Sequence, residues 1–353
     1  MNLLNLLPGE ARRVLAEWLA ERREPGYRVR QVLPRLWRRP VPAWRDASEL
    51  PAPLAAALDQ HVPLPRLVRE RQQVSRDGTV KYLWRLADGR AIESVLIPEG
   101  RRRTLCVSSQ AGCAYGCGFC ATGLMGFERH LEPWEIVGQV RELALESPES
   151  RPTNVVFMGM GEPLHNWRAV DTALTVLNDP DGCGLGARHI TVSTVGVIPG
   201  LRLLAQRPEQ FRLALSLHAA IPARRRALMP VERKYPMADV LSELGRFKRR
   251  ITFEYVMIQE VNDTPEDAAA LAALARPLGA LINLLPLHPG GAGSFQPTAM
   301  ADIRRFAASL AGMGAAVSVR RSRGLDIAAA CGQLRVATDG AGSVRTEEHA
   351  HVQ

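Results

Sequence analysis

The chain has 353 residues, long enough for a large core in one or two domains, and its 46% apolar and 23% charged residues exclude a disordered or fibrous chain. A net charge of +9 suits a polyanionic partner such as nucleic acid. The opening MNLLNLLPGEARRVLAEWLAERR is broken by Glu10, Glu17 and Glu21, so neither signal peptide nor membrane span is expected, and the expected location is the cytoplasm.

Residues 1–75 read as a small helical unit, an accessory domain. RRVLAEWLAERR places Val14, Leu15, Trp18 and Leu19 on one helical face, and RVRQVLPRLW repeats the pattern with Val29, Val32, Leu33 and Trp37. LAAALDQH suggests a third helix after Pro40, Pro42, Pro51 and Pro53. Within residues 76–100, VKYLWRLADGRAIESVLIPE reads as a β-hairpin turning at Ala87, Asp88, Gly89 and Arg90.

A core spanning 101–340 follows. TLCVSS, NVVFMGMG, HITVSTVG, RLALSLHA, ITFEYVMI and LINLLPLH are nearly continuous apolar runs, separated by helical segments such as PWEIVGQVRELAL and PEDAAALAALARPL. Six such units imply an α/β fold with a parallel sheet buried on both faces, either a partial barrel or a doubly wound sheet. In both, the chemistry belongs at the C-terminal strand ends, where GMGEP, STVG, SLHA and LPLH fall. SFQPTAMADIRRFAASLAGMG reads as another helix, AAVSVRRS as a last strand, and RGLDIAAACGQLR as a loop carrying Cys331. A polar tail, 341–353, ends the chain.

Four of the six cysteines lie in CVSSQAGCAYGCGFCATG, where Cys113, Cys117 and Cys120 form a C-x3-C-x2-C triplet. Three thiolates on a [4Fe-4S] cluster leave one iron open to bind a small molecule. Zinc is the alternative, with Cys106 or His130 as a fourth ligand, although zinc sites more often pair ligands in two knuckles. Spacing and context favour the cluster without closing the zinc reading.

The triplet, with Phe119 before its last cysteine, resembles the signature of the radical S-adenosylmethionine (SAM) superfamily. The strings SQAGCAYGCGFCATG, GMGEPLHN, STVGVIPG, SLHA, FEYVMIQEVNDTPED and AACGQL together resemble the RlmN/Cfr family of RNA adenosine methyltransferases, in that family's order and over nearly the whole chain. The resemblance implies a partial (β/α)6 barrel, with Cys113, Cys117 and Cys120 holding the cluster. It implies that Gly161, Glu162, Ser193, Ser216, Leu217, His218 and His288 contact SAM, two molecules of which are used per turnover.

The family's chemistry further implies that Cys331 takes a methyl group from one SAM. A radical made from the second converts this methylcysteine into a carbon radical that adds to adenine. Glu93 is then the expected proton acceptor, and Cys106 the thiol that frees the product by forming a transient disulfide with Cys331. Taken alone, Glu93 would be read as a solvent-facing hairpin residue and Cys331 as a buried structural thiol. Cys183 matches no motif. His288 stands where the family carries Asn, which points to a divergent subgroup.

The implied activity is methylation of adenine in RNA, at C2 in 23S rRNA and also in tRNA, with C8 methylation or a non-RNA radical SAM substrate as alternatives. Arg101–Arg103, Arg224–Arg226 and the Arg320, Arg321, Arg323 run are candidate RNA contacts. Charge alone argues weakly, because the 45 basic residues include only three lysines, Lys81, Lys234 and Lys248, a skew that looks like coding bias. The expected partners are RNA and an external one-electron reductant resembling flavodoxin, for a monomer that needs no membrane.

Overall fold

The apolar runs of the core become the strands of a sheet whose order follows the chain. The structure is a computed structural model that describes residues 1–247, 249–288 and 295–334; the expected polar tail lies outside the described residues. The strands are β1 (Val68–Val74), β2 (Val80–Arg85), β3 (Ala91–Glu99), β4 (Arg102–Cys106), β5 (Gln110–Gly112), β6 (Phe127–His130), β7 (Asn154–Phe157), β8 (Ile190–Thr194), β9 (Arg212–Ser216), β10 (Ile251–Met257), β11 (Leu281–Pro286) and β12 (Ala316–Val319).

Ten of them form one sheet in the order β1-β2-β3-β4-β7-β8-β9-β10-β11-β12, and β5 pairs with β6 in a separate ribbon. From β4 to β12 every pairing is parallel. Because right-handed crossovers that always step to the next strand place their helices on one side, this order gives a barrel-like winding. A doubly wound sheet would reverse its order partway, so that alternative is excluded. The sheet stays open, with β1 and β12 at its edges. The six expected strands are all present, and AAVSVRRS supplies the seventh parallel one, β12.

The hairpin is β2–β3, and β1 and β4 extend it into an antiparallel wing. Here residues 1–75 depart from an all-helical reading, because β1 lies within them. VRERQQV is exposed at six of seven positions and has no apolar alternation. It is a charged edge strand formed by backbone pairing to β2, a type that composition does not reveal. The rest of the unit is helical, over Pro8–Glu21, Arg28–Val32 and Ala52–His61. Leu15, Trp18, Leu19, Val32, Leu33 and Trp37 are buried as the periodicity predicts. Arg141, buried in the helix Pro133–Glu146, donates to the Leu36 and Val41 carbonyls at 3.1 and 2.7 Å and so ties the unit to the core. Among the described residues no helix is long and apolar enough to cross a membrane.

Candidate active site

A cleft opens at the C-terminal ends of the parallel strands. Its lining brings together Cys113, Cys117, Cys120, Gly161, Glu162, Ser193, Ser216, His218, His288 and Cys331. These residues come from separate strand ends and loops, which is why the sequence scatters them over more than half the chain.

Register explains the floor. Ser216 of β9, Glu254 of β10 and Asn283 of β11 pair across neighbouring strands and therefore point to one face. Ser193 and Ser216 stand 3.3 Å apart through their hydroxyls, and Asn283 Nδ2 donates to Glu254 Oε2 at 3.0 Å. Glu254 was not anticipated, although a carboxylate within the apolar run ITFEYVM is itself a signal. Burial raises its pKa, opposed by the charge of Arg320.

After β7 the chain turns sharply at Gly161, whose φ is +95°. A Cβ there would fall 2.5 Å from Gln110 Cβ, so only glycine fits. The next residue, Glu162, is 3% exposed and accepts from the Leu164 and Val195 amides at 3.0 and 2.8 Å. Burial nevertheless pushes its carboxyl up to about 7. The Glu162 amide donates to Gln110 Oε1 at 2.8 Å, while Gln110 Nε2 meets His130 and His165 Nδ1 at 3.0 and 3.3 Å. Thus His130, though exposed, hydrogen-bonds the glutamine that holds the Glu162 amide, a role outside its zinc reading.

His218 adopts a left-handed backbone, φ +57°, and its Nδ1 accepts from the Val256 amide at 3.1 Å. Burial, reinforced by Arg225, drives its pKa down to about 3, so the ring is neutral with its proton on Nε2. Its ring meets Phe119 edge-on at 4.7 Å. Leu217 is fully buried and does not line the cleft; its carbonyl accepts from Arg225 Nε at 3.2 Å. His288 hydrogen-bonds Ser322 through Nε2.

The cysteine loop lines the same cleft. Cys113 N donates to Gly126 O, Gly118 N to Leu228 O and Cys120 N to Cys117 O, at 2.8, 2.9 and 3.0 Å. Burial raises all three thiols, and the charges of Cys113 and Cys120 raise Cys117 further. Three thiolates packed this way need a cationic centre to persist. Three thiols supplied by one loop at the edge of the cleft are a donor set that would suit a [4Fe-4S] cluster with one iron left open.

Cys331 lies on a loop pinned from two sides. On the cluster side, Ala121 N donates to Gly332 O at 2.8 Å and Thr122 Oγ1 to Leu334 O at 2.6 Å. On the other, Asp77 accepts from the Gly324 amide at 3.0 Å, and Asp326 accepts from Ser75 Oγ and the Arg76 amide at 2.5 and 3.1 Å. Cys331 as a residue is exposed to the cleft, yet crowding by its walls still raises the thiol while Arg320 opposes that rise. Cys106, at the end of β4, is buried. Burial pushes its thiol up to about 12, and its proximity to a Cys331 thiolate adds to the rise. Cys106 does not line the cleft but adjoins Cys331. Burial disfavours the Arg320 charge, yet Cys331, Glu254 and Cys106 together raise its pKa.

Glu93 lines a separate cavity with Lys81, Ala328 and Gln333, and is buried at 4% exposure, contrary to the solvent-facing hairpin reading. Of the arginine runs, Arg225 is fully buried, paired with Glu232 and donating to Val195 O at 2.7 Å, so it is removed from the RNA candidates. Arg224 is committed to Asp267 and Glu266. Cys183 is buried at 3% exposure and lines neither this cleft nor the Glu93 cavity.

Residues 107–272 match the Radical SAM superfamily, whose members use a [4Fe-4S] cluster and SAM; these are the cofactors of this chain, and the thiol loop and cleft fit them. The chain is 56% identical to the probable dual-specificity RNA methyltransferase RlmN of Gemmatimonas aurantiaca, covering 95% of this chain and 93% of that protein. It is 45% identical to the dual-specificity RNA methyltransferase RlmN of Anaeromyxobacter dehalogenans, over 94% and 91%. A crystal structure of a radical SAM methyltransferase from Sphaerobacter thermophilus superposes with a TM-score of 0.88 at 42% identity, over 95% of this chain and 99% of that one. The chain therefore belongs to the RlmN family of RNA methyltransferases, within the radical SAM superfamily.

Proposed function

We propose that this enzyme methylates C2 of an adenine in 23S rRNA and in tRNA, in the cytoplasm, through a methyl group carried by Cys331. What supports the reading is one juxtaposition: Cys331 lines the same cleft as the three cluster thiols, with Cys106 close enough for a Cys331 thiolate to raise the cost of ionising the Cys106 sulfur. The names of the relatives support RNA as the substrate.

Cys113, Cys117 and Cys120 would hold the cluster, and Gly161, Glu162, Ser193, Ser216 and His218 would line SAM. Glu162 would accept from the SAM ammonium group with the lone pairs its backbone partners leave free. Leu217 would serve only through its backbone, and His288 would offer the edge of its ring where the family carries Asn. Bound there, the cluster supplies one-electron cleavage of SAM to a carbon radical, using an electron from an external flavodoxin-like reductant.

Cys331 would first displace the methyl group from a separate SAM, with Arg320 favouring its thiolate. The methyl carbon, after losing a hydrogen atom, joins the adenine, and Glu93 takes the proton from the attacked carbon. Cys106 would then attack the Cys331 sulfur, an S–S bond forming as the S–C bond breaks: the electron pair of that bond goes to the product carbon, which takes a proton to become the methyl group, and the one electron first supplied by the reductant is given back. A Cys331 converted to a neutral thioether no longer repels charge on Cys106, so the resolving thiol ionises more readily only after loading. The N-terminal unit, residues 1–75, would bind RNA as an accessory domain to a monomeric core.

Mass spectrometry of nucleosides from RNA incubated with reconstituted enzyme, SAM and reductant tests the reading. The expected product is 2-methyladenosine. Finding 8-methyladenosine alone would overturn the carbon assignment, and finding no methylated nucleoside from enzyme that cleaves SAM would overturn the RNA reading.

A further inference from the structure

Lys81 is one of only three lysines in a chain otherwise supplied with arginine, and it is only 8% exposed. Its place follows from register. In the β2–β3 pair Leu83 opposes Glu93 and Lys81 opposes Val95, so all four side chains share one face. Val95 in turn opposes Cys106, and Gln73 of β1 opposes Lys81. The antiparallel wing thus lays Gln73, Lys81, Glu93 and Cys106 along one surface, and the loop bearing Cys331 covers it.

Lys81 Nζ stands 3.3 Å from Glu93 Oε1 and donates to the Ala328 carbonyl at 3.3 Å. Ala328 holds a left-handed backbone, φ +50°, three residues before Cys331. One ammonium therefore joins the hairpin carboxylate to the loop that carries the methyl group. Arginine would fit poorly here: its planar fork matches one carboxylate, whereas a compact ammonium on a flexible stem can reach two acceptors lying in different directions. The other charged groups on this cavity are Arg71 of β1 and Asp326, the latter already held by Ser75 and Arg76.

We propose that Lys81 is a positioning residue for the methyl transfer, holding Glu93 as an aimed carboxylate and fixing the Cys331 loop at a set distance from it. The inference rests on the reading of Glu93 as proton acceptor. In that step the adenine C–H bond breaks, an O–H bond forms on Glu93, and the electron pair stays in the ring. Lys81 keeps its own proton and supplies the counter-charge that keeps Glu93 ready before the transfer.

A double-mutant cycle on the reconstituted enzyme tests it, with K81M, E93Q and the combined variant assayed for methylated nucleoside, iron content and 5'-deoxyadenosine release. K81M is expected to slow methylation ~10²-fold, the scale of general-base catalysis, with iron and 5'-deoxyadenosine release retained. In the E93Q background the same change should cost less than ~3-fold, because coupled residues do not lose activity independently. RNA carrying deuterium at the attacked carbon should react more slowly than unlabelled RNA with K81M, because proton removal then limits the rate. Wild-type turnover by K81M overturns the proposal, as do multiplying losses in the combined variant. Loss of iron from K81M overturns it too, by showing a merely structural lysine. Wild-type turnover by E93Q overturns instead the role given to Glu93.

Discussion

Replacing Gly161 by alanine measures how tightly the turn after β7 is packed against the support for Glu162. At φ +95° an L-residue pays about 1–2 kcal/mol in backbone strain. The new Cβ would sit 2.5 Å from Gln110 Cβ and 2.7 Å from its Cγ, an overpacking that costs about 1–3 kcal/mol. The sum is about 2–5 kcal/mol. Gln110 cannot yield freely, because it is fully buried and hydrogen-bonded at both ends, to Glu162 N and to the two histidines. The cost can therefore be borne in two ways. Carried by the fold, it lowers Tm by about 4–10 °C for a large domain. Relieved by moving Gln110, it displaces Glu162, and SAM affinity falls about tenfold for each 1.4 kcal/mol. Calorimetric unfolding and SAM titration of the anaerobically reconstituted G161A enzyme read both outcomes. A Tm within a degree of wild type together with unchanged SAM affinity would refute the packing argument.

C106A is expected to keep its iron and its methyl group on Cys331 yet accumulate enzyme covalently attached to RNA, seen as a shifted band on a denaturing gel; many turnovers of free product would remove Cys106 from the reaction. C113A should lose the brown colour and most of its iron, and a variant retaining about four irons would show that another ligand serves. D77A should speed hydrogen exchange over residues 324–334 by about tenfold, since the Gly324 anchor is worth about 1–1.5 kcal/mol. Although burial opposes its charge, hydrogen bonds from Thr79, Gly324 and Ser75 hold Asp77 at about 2, below its ordinary 3.8. A depressed carboxyl stabilises the folded loop above about pH 4 and loses that effect as pH falls through about 2, so wild-type exchange should approach that of D77A only in that acid window. Equal exchange in the two proteins at pH 7 would show that the loop is held elsewhere.

The parallel strands were legible because both faces are buried: Val155, Ile190, Val192, Leu213, Phe253 and Ile282 are each at most 1% exposed, and such strands read as unbroken apolar runs. β1 was not, since six of its seven residues are exposed and a strand held by backbone pairing to β2 and by ion pairs such as Arg69 with Glu146 carries no apolar signal. The cluster loop was legible because its three donors are local. Glu93 and Cys106 required either a resemblance or the register of β2, β3 and β4, and pairing register is not written in any short window. Arg225 misled for the opposite reason: within IPARRRALMP it looks like one of three solvated cations, yet the turn of the helix Pro222–Leu228 buries it against Glu232. Burying an ion pair is costly unless both partners stay matched, which makes Arg225 a structural residue whose loss would leave Glu232 uncompensated.

The parallel strand ends and the antiparallel wing of the one sheet both reach Cys331, and its loop is anchored to each. To be loaded, the sulfur must face the cleft built by the parallel strand ends; to be resolved, it must meet Cys106 on the antiparallel wing. Rigid attachment to either part of the sheet alone would serve one encounter at the expense of the other. Instead the loop takes two hydrogen bonds from Ala121 and Thr122 on the cluster side, and a separate set to Ser75, Arg76, Asp77 and Lys81 on the wing. Each such bond contributes about 0.5–1.5 kcal/mol, rising to about 3 where a charge takes part, so either side can open at a modest cost while the other holds. The left-handed residues Gly324, Ala328 and Gly332 divide the loop into short arms between the two sets of anchors. A carrier built this way can turn its sulfur between two partners without unfolding the sheet.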